Sequence, residues 1–397
     1  MLGKVQKDIW FLSIATFLNR AAGFLSLFAA IFFTQTGMSR GLVTTALLTV
    51  GIAGIVGSLA GGAIADSVGK SYVLKYSTLI NVVLLAILSQ IDYRNALLLI
   101  GISALSVAAS QAFVGPASAL VAESSEGNER VTRFAFYRIF INVGSIVAPV
   151  IVGFIGRNHF DVLFFISAGV SALTLLILFI GRVGSAADRS GLAASLSQQA
   201  DEDPETHYRL SAPNWSLVLI YFAMALAMII YAQHQSAVPL QLNEVAGGVR
   251  LYSLLLIINP VIVIFLEYPL SYATKRLSAV NALSIGVLVM GAGVFIAGYF
   301  STYSVIVIVG WVLFSIGECI FAPMSNSYVA ELAPLGGQSK PQGQLAAFQA
   351  TGSAIGPGIG SWLLFNMGGL TWLILLVITF FSCGLVLATK KRTKITT

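Results

Sequence analysis

The sequence is organised around the stretch Gly62-Ala-Ile-Ala-Asp-Ser-Val-Gly-Lys-Ser-Tyr-Val-Leu74. It contains a carboxylate, a lysine and two glycines, and it lies between apolar runs at about 42–65 and 73–91. Each run has roughly the 20 residues that an α-helix needs to cross a bilayer. The stretch therefore predicts a tight polar turn that joins two membrane-spanning helices.

The whole composition agrees with a membrane protein. Of 397 residues, 57% are hydrophobic and 10% are charged, and the mean hydropathy is +0.88. Soluble domains usually carry about 25% charged residues, so this mixture could not form a water-facing surface. We expect an all-α, polytopic protein with twelve spans. Their approximate bounds are 8–33, 42–65, 73–91, 96–122, 134–156, 162–180, 215–240, 251–273, 279–300, 304–331, 344–366 and 370–388.

The halves of this pattern are separated by the long polar segment 181–214. We expect a cytoplasmic linker there, between an N-terminal six-helix bundle (1–180) and a C-terminal one (215–397). An internal repeat supports this division. Phe113–Glu123 aligns with Phe321–Glu331 at an offset of 208, and the same offset continues through the following span.

The distribution of Lys and Arg predicts the orientation. With both termini in the cytoplasm, sixteen basic residues fall on the inner side, four fall in outer loops, and Arg20 and Arg138 lie deeper within spans. Because basic residues concentrate on the cytoplasmic side, this orientation is favoured, and a bacterial-type inner membrane is the expected location. The net charge of +6 follows from topology, and no basic patch with interleaved aromatic residues indicates a nucleic-acid partner. Cys319 and Cys383 lie in apolar spans without metal-ligand spacing, so no metal is expected.

The 62–74 stretch follows G-x-x-x-D-x-x-G-[KR]-x-x-x-L, which resembles the loop signature between helices 2 and 3 of the major facilitator superfamily. The likeness covers essentially the whole chain and implies alternating access by rocking of two six-helix halves. On this resemblance Gly62 lets the second span approach a neighbour closely, and Gly69 permits the turn. Asp66, with Lys70 beside it, would latch the halves by facing the N-terminal end of the eleventh span. Ser67 and Ser71 depart from the basic residues usual in the family, which implies a weaker latch.

Glycine and proline recur in the fifth and eleventh spans, at Gly144, Pro149, Gly352 and Pro357. The pattern in the fifth span resembles, imperfectly, a motif associated with exporters. Ordinary bending and packing of membrane helices is the alternative reading. Arg138 lies one turn into the fifth span, where it has either a gating role or a structural one.

Charged residues inside the spans are the sharpest functional signal, since each costs roughly 2.5–3.5 kcal/mol at a helix centre. Glu318 lies in the middle of the tenth span, on one face with Ser315 and Ser325. We expect it to bind and release protons, although a permanently ionised, structural Glu318 stays open. Arg20, halfway along the first span, is a candidate for an anionic substrate group or for a partner of Glu318. Glu267 is the second candidate for proton coupling, and structural pairing with Lys275 and Arg276 is its alternative.

Substrate-binding side chains are expected on the seventh span and near it. One stripe of that span offers aromatic, thioether and amide groups, which suit an adaptable pocket or, equally, ordinary packing. The stripe consists of Tyr221, Met224, Met228, Tyr231 and Gln235. Asn142 shares the face of Arg138. Asn259, before Pro260, is expected to break the eighth span at depth, and His234 is expected at the membrane interface.

These features resemble the drug:proton antiporter branch of the superfamily. The resemblance implies a monomeric, proton-coupled exporter of small amphipathic molecules or drugs, driven by a proton gradient without another cofactor. A proton-coupled importer of an anionic or zwitterionic nutrient or peptide would use the same parts. A lipid-handling flippase or a receptor-like protein that does not pump are further alternatives. An enzyme is disfavoured, because no nucleophile–base set or metal cluster is evident.

Overall fold

The computed structural model describes residues 7–123, 128–155, 159–183, 215–274, 277–332 and 339–393. Within these ranges the chain forms helices and short connections, and no β-strand occurs there. The first half contains α1 (Lys7–Ala21), α2 (Phe24–Gln35), α3 (Arg40–Val68), α4 (Lys70–Leu88), α5 (Ala96–Ala112), α6 (Val114–Glu123), α7 (Asn128–Ile155) and α8 (Phe160–Ile180). The second half contains α9 (Trp215–Tyr231), a 3₁₀ turn (Ala232–Gln235), α10 (Ala237–Asn243), α11 (Gly248–Thr274), α12 (Ala279–Tyr299), α13 (Ser304–Leu332), α14 (Ser339–Met367) and α15 (Leu370–Thr393).

The predicted multi-pass, all-α class is confirmed. Among the described residues, eleven helical spans are long and apolar enough to cross a membrane. The twelfth predicted span, 344–366, lies within α14, which is 29 residues long but more polar than the others. Its polar groups are used in packing: Gln344 accepts a hydrogen bond from Tyr221, and Ser361 donates one to Thr44. A helix whose polar side chains have protein partners need not be uniformly apolar to lie in a bilayer.

Three spans that were predicted to be continuous are interrupted. The first breaks after Ala21, and the Gly23 amide bonds back to the Arg20 carbonyl oxygen at 3.0 Å. The fourth breaks at Phe113, and the seventh passes through the 3₁₀ turn before α10. The break at Phe113 lies among apolar and small residues, so composition did not reveal it, whereas the other two lie at polar residues, Asn19-Arg20 and Gln233-His234-Gln235.

The expected break at Asn259-Pro260 is wrong. Helix α11 runs without interruption through Pro260 and also through Pro269. A proline removes one backbone donor from the helical ladder, but a long membrane helix tolerates this loss where its surroundings satisfy the freed group. At this depth α11 therefore offers a polar group through the Asn259 side chain, and no unwound backbone is needed to provide one.

Contacts between residues divide the chain into two compact units. One comprises Met1–Leu25, Ala53–Ile151 and Asn158–Ala212, and the other comprises Ser26–Ile52, Val152–Arg157 and Pro213–Thr397. The second unit thus includes most of α2 and the start of α3 together with the C-terminal helices. The division into 1–180 and 215–397 stays a prediction, and the linker from 184 onward, Lys275, Arg276 and the tail from 394 lie outside the described residues.

Each unit has its own means of close packing. In the first, Leu74 at the end of the 62–74 stretch belongs to a buried cluster with Leu12, Phe113, Tyr137 and Leu178. The stretch therefore anchors the start of α4 in the core of its unit. In the second unit, glycines on α12 and α13 bring the two backbones together, and the residues concerned are Gly293, Gly310 and Gly317. Without a hydrophobic driving force between helices in lipid, such close approach supplies the packing energy.

We predict that Gly293→Ala destabilises the protein, because the added Cβ would overlap the Phe314 amide nitrogen. Overpacking of this kind costs about 1–3 kcal/mol. The measurement is the thermal unfolding midpoint in detergent. Gly384→Ala on α15 is the control, since its Cβ would meet no atom within 4 Å. Equal midpoints for the two variants would contradict this account of α12–α13 packing.

Candidate functional site

The structure gives Glu318 two hydrogen-bond donors from neighbouring helices. Tyr231 Oη donates to Glu318 Oε1 at 3.0 Å, and Asn259 Nδ2 donates to Oε2 at 2.7 Å. The Asn259 amide also donates to Ser315 Oγ at 3.1 Å. Glu318, Asn259, Tyr231 and Ser315, hereafter the Glu318 cluster, join α13, α11 and α9 within one compact unit.

Local structure explains why these side chains converge. Glu318 lies near the middle of α13, and Ser315 is three residues earlier on the same face. Tyr231 is the last residue of α9, where the helix passes into the 3₁₀ turn. This change of helical geometry places the tyrosine at the depth of Glu318. Asn259 enters from the uninterrupted part of α11.

An aromatic group surrounds the tyrosine of the cluster. The Tyr231 ring stacks on Phe314 with 5.5 Å between centroids and contacts His234 at 4.6 Å. His234 is buried, and its Nδ1 lies 2.7 Å from the Tyr231 carbonyl oxygen. His234 is thus buried within the protein, and its expected position at the membrane interface stays a prediction. The Trp311 ring lies 5.2 Å from that of Phe314. Neither residue was singled out from the sequence, because aromatic residues in an apolar span carry no signal of their own.

The chemistry of the Glu318 cluster suits a carboxyl group that gains and loses a proton. Both described donors are uncharged, so neither forces the carboxylate to remain ionised. A tyrosine hydroxyl can donate or accept. When Glu318 is ionised, Tyr231 donates to Oε1, and when Oε1 carries a proton the same hydroxyl can accept a hydrogen bond from it. The cluster can therefore satisfy hydrogen bonds in both protonation states with little movement.

The predicted stripe of the seventh span divides into packed and accessible members. Tyr221 is buried, donates to Gln344 Oε1 at 3.1 Å and stacks on Phe348. Met224 is fully buried, as ordinary packing requires. Met228, Tyr231 and Gln235 are half-buried. Only these last three have surface that a ligand could contact in this structure.

Gln233 lies beside this stripe, and its structural role was not predicted from the sequence. The side chain is fully buried. Its Nε2 donates to the carbonyl oxygens of Ile229 and Gly356, and Ser236 donates to its Oε1. Gln233 thereby fastens the 3₁₀ turn to α14. The feature of the sequence that could have indicated this role is a glutamine at the end of an apolar run.

Arg20 occupies the break in the first span. It is the penultimate residue of α1, it is half-buried, and it interacts electrostatically with Tyr137 of α7. Thr16 donates to the Tyr137 hydroxyl at 3.3 Å. Gly144 allows α7 to approach, since a Cβ there would lie 2.5 Å from the Phe17 carbonyl oxygen and 3.0 Å from Arg20 Cβ. Arg20 and Glu318 belong to different units, and their pairing stays a prediction.

The 62–74 stretch forms the predicted tight turn between α3 and α4. Gly69 has φ +103°, a conformation that residues with a Cβ rarely adopt, and it is the N-cap of α4, which starts at Lys70. Asp66 is exposed at the end of α3, and its contact with the eleventh span stays a prediction. At Gly62 the backbone approaches α6, since a Cβ on Gly115 would lie 3.9 Å from Gly62 Cα, although a Cβ on Gly62 itself would meet no atom within 4 Å. Gly57 and Gly61 make the close contacts, against the backbone of α5 at Ala108 and Ala112.

The remaining predicted residues have these surroundings. Pro149 and Pro357 are buried within uninterrupted helices, and a Cβ at Gly352 would overlap the Ala225 carbonyl oxygen. These positions fit the packing alternative for the glycine–proline pattern.

Asn142 is half-buried and Arg138 is exposed. Glu267 is half-buried on α11, while Lys275 and Arg276, its predicted partners, lie outside the described residues. Among the described residues no group of His, Cys, Asp and Glu could hold a metal ion.

Comparison with known proteins identifies the family. The sequence profile described as "Major Facilitator Superfamily" matches residues 9–247 and 217–396. The chain belongs to the major facilitator superfamily. It is therefore a transporter and not an enzyme. A similar curated protein is the "Uncharacterized MFS-type transporter YqjV" of Bacillus subtilis (strain 168), which is 23% identical over 368 residues, covering 90% of this chain and 87% of the relative.

Solved structures agree on the fold of this superfamily. A peptide transporter POT in complex with sulfate has a TM-score of 0.77 at 16% identity, with 99% of this chain and 96% of the other covered. A nucleoside transporter NupG has a TM-score of 0.74 at 16% identity, with 98% of this chain and 100% of the other covered. At these identities the likeness shows the fold alone.

We predict that two substitutions of Glu318 differ in their effect on the stability of the protein. Glu318→Gln keeps an acceptor for Asn259 and offers an amide donor to the Tyr231 hydroxyl, so the thermal midpoint should remain near that of the wild type. Glu318→Leu leaves both donors without this acceptor, which costs about 1–3 kcal/mol. Thermal unfolding in detergent measures the difference. A leucine variant as stable as the glutamine variant would show that the donors have other partners, such as water.

Proposed function

We propose that this member of the superfamily is a proton-coupled exporter of small amphipathic molecules, with Glu318 as the group that carries the proton. The observation that supports the proposal is the pair of neutral hydrogen bonds to a carboxyl group in the middle of a membrane helix. Charged groups at this depth are costly and usually functional. The two described donors, a phenol and an amide, can serve the carboxyl group in its ionised and in its protonated form.

Coupling follows if proton and substrate favour different states of the Glu318 cluster. With Glu318 protonated, Tyr231 accepts a hydrogen bond from it, and the carboxyl group offers no charge to a cationic ligand. With Glu318 ionised, the carboxylate can attract a positive group while Tyr231 and Asn259 hold its orientation. Only such a difference in affinity between states can drive a transport cycle. Alternating access of the two halves, with Asp66 and Lys70 in the latch, is the accompanying proposal.

The side chains beside the cluster favour a flat, cationic or weakly basic substrate. Tyr231 presents a ring that is half-buried, and Met228 lies one turn before it. Aromatic faces attract cations, and thioethers adapt to irregular apolar shapes. We propose that Tyr231, Met228, Gln235 and Asn259 contact the substrate. Tyr221 and Met224 would act indirectly, by supporting the helix that carries these residues.

Import is the second candidate, and Arg20 is the observation that favours it. A half-buried guanidinium beside Tyr137 could hold a carboxylate or a phosphate of a substrate. The fold neighbours described as peptide and nucleoside transporters are consistent with such a substrate. On this alternative the proton and the substrate would move in the same direction. We place the protein in the cytoplasmic membrane as a monomer, with both termini in the cytoplasm, under either proposal.

Coupling of proton movement to substrate movement is tested with the full chain in liposomes that contain a pH-sensitive dye. Cationic amphipathic molecules and dipeptides serve as probes. We expect wild-type protein to move protons opposite to a cationic probe and Glu318→Gln to lose that movement. Glu244→Gln, an exposed carboxyl between α10 and α11, is the control and should match the wild type. Coupled proton movement that survives in Glu318→Gln would reject Glu318 as the carrier, and Glu267→Gln would be tested next. Proton movement in the same direction as a dipeptide would favour import.

On the import alternative, Arg20→Gln should weaken binding of an anionic probe. Hydrogen bonds to charged groups contribute about 1.5–3 kcal/mol, which corresponds to roughly a tenfold or greater rise in Kd. Arg94→Gln is the control, because the Arg94 side chain is 93% exposed. Binding of acetylated dipeptides to detergent-solubilised protein measures the effect. An unchanged Kd in Arg20→Gln would remove the argument for import.

A further inference from the structure

The hydroxyl group of Tyr252, a fully buried residue of α11, lies between two backbone carbonyl groups. Its oxygen is 2.8 Å from the Leu27 carbonyl oxygen of α2 and 2.9 Å from the His234 carbonyl oxygen in the 3₁₀ turn. All three residues belong to the same compact unit. A tyrosine hydroxyl has one hydrogen to donate, so the two carbonyl groups share a single donor. A movement of either carbonyl group therefore changes the hydrogen bond that the other receives.

The two acceptors do not depend equally on this donor. Leu27 lies inside α2, so its carbonyl group is also part of the helical hydrogen-bond ladder. The ladder is interrupted after the 3₁₀ turn, because Ser236 has φ −129° and ψ −83°, which is not a helical conformation. A carbonyl group at such an end needs a partner from elsewhere in the protein. We therefore expect the hydroxyl group to donate wholly to His234 when the α2 carbonyl group moves away.

The His234 end of this arrangement reaches the Glu318 cluster. His234 Nδ1 lies 2.7 Å from the Tyr231 carbonyl oxygen, and because a carbonyl oxygen only accepts, Nδ1 carries the hydrogen of this bond. The two rings are 4.6 Å apart, and Tyr231 Oη in turn donates to Glu318 Oε1. Tyr252, His234, Tyr231 and Glu318, hereafter the Tyr252 link, thus form a chain of contacts from α2 to the carboxyl group.

Helix α2 is the part of this arrangement that can change its neighbours. It follows α1 in the chain, and the boundary between the two compact units falls near its start, between Leu25 and Ser26. At its other end Gln35 Nε2 donates to Asn243 Oδ1 at 3.1 Å, and both side chains are half-buried, so water can replace this bond. Rocking of the two halves, as proposed above, would pull α2 away from α10 and α11 if α2 moves with α1.

We propose that Tyr252 is a positioning residue that links the docking of α2 on α10 and α11 to the protonation of Glu318. The proposal rests on the proton-carrying role proposed above. An ionised Glu318 holds the Tyr231 hydroxyl firmly, because hydrogen bonds to charged groups are about twice as strong as neutral ones. The 3₁₀ turn is then fixed, and the Tyr252 hydrogen stays shared with Leu27. When Glu318 is neutral, the turn relaxes towards Tyr252, His234 takes the hydrogen, and α2 is released.

Electron paramagnetic resonance of the full chain in detergent tests the proposal, with nitroxide labels on Ser39→Cys and Glu244→Cys. Both positions are exposed and follow the ends of α2 and α10, so a short distance between the labels reports docked α2. We expect Glu318→Gln to lower the ratio of docked to undocked protein about fivefold, as is usual for coupled sites. In Tyr252→Phe, which keeps the ring and removes the hydroxyl group, Glu318→Gln should change this ratio by less than about twofold.

Two controls accompany these variants. Tyr328→Phe removes another buried tyrosine hydroxyl from α13, whose hydrogen bond to Thr389 of α15 lies outside the Tyr252 link. It should leave the effect of Glu318→Gln unchanged. The chain without introduced cysteines gives the background labelling, since Cys319 and Cys383 are buried.

A Glu318→Gln effect of equal size with and without the Tyr252 hydroxyl would overturn the proposal, as would no effect or a shift towards docked α2. If Tyr252→Phe fails to fold, His234→Phe keeps a ring, removes the bond to the Tyr231 carbonyl oxygen and should reduce the effect in the same way. Failure of the proposed function is a separate result, because it appears in liposomes as coupled proton movement that survives Glu318→Gln.

Discussion

The structure depends on one constraint: inside hydrocarbon, polar groups must find partners within the protein. Each unsatisfied group there costs several kcal/mol, so a spanning segment becomes a helix that pairs its own backbone. Many side chains follow the same rule, although a few buried hydroxyl groups, such as those of Ser103 and Thr371, have no hydrogen-bond partner. Hydroxyl groups bond back to the carbonyl oxygen one turn earlier, as in Thr78, Thr174, Ser253 and Thr379. The Glu318 cluster is the most concentrated example, since a carboxyl group, an amide and a hydroxyl satisfy one another across three helices.

The second consequence of the bilayer is that packing energy must come from close contact. Lipid chains are as apolar as the helices, so burial alone gives little reason for helices to associate. Glycine supplies the contact at several places, among them α3 against α5 and α12 against α13. The same device has different results. Between α12 and α13 it produces a tightly packed pair, whereas beneath Tyr72 and Tyr76 it leaves an apolar groove on the surface of the unit.

The sequence predicted the spans well because hydropathy reports directly on the bilayer. Glu318 was also predictable, since a carboxyl group in the middle of an apolar run is conspicuous. The residues that hydrogen-bond to Glu318 were harder to predict. Asn259 and Tyr231 were candidates for substrate, but a pattern along one helix cannot show which residues of two other helices lie at the same depth. Met224 shows this limit. Because its helix is buried on several sides, the stripe of side chains on that helix could be read equally as a binding surface or as ordinary packing. The break at Gly23 and the continuity at Pro260 depend on tertiary surroundings in the same way.

The membership of α2 in the second unit has a consequence for how the protein is made. Gln35 bonds to Asn243 across 208 positions, and Tyr252 donates to the Leu27 carbonyl oxygen across 225. At about 5–20 residues per second, Gln35 leaves the ribosome roughly 10–40 s before the residue that it binds. For that interval α2 must stay in the membrane without its final neighbours. Synthesis therefore places on this helix a requirement that the finished structure does not: it has to be stable in lipid alone before it is stable in the protein.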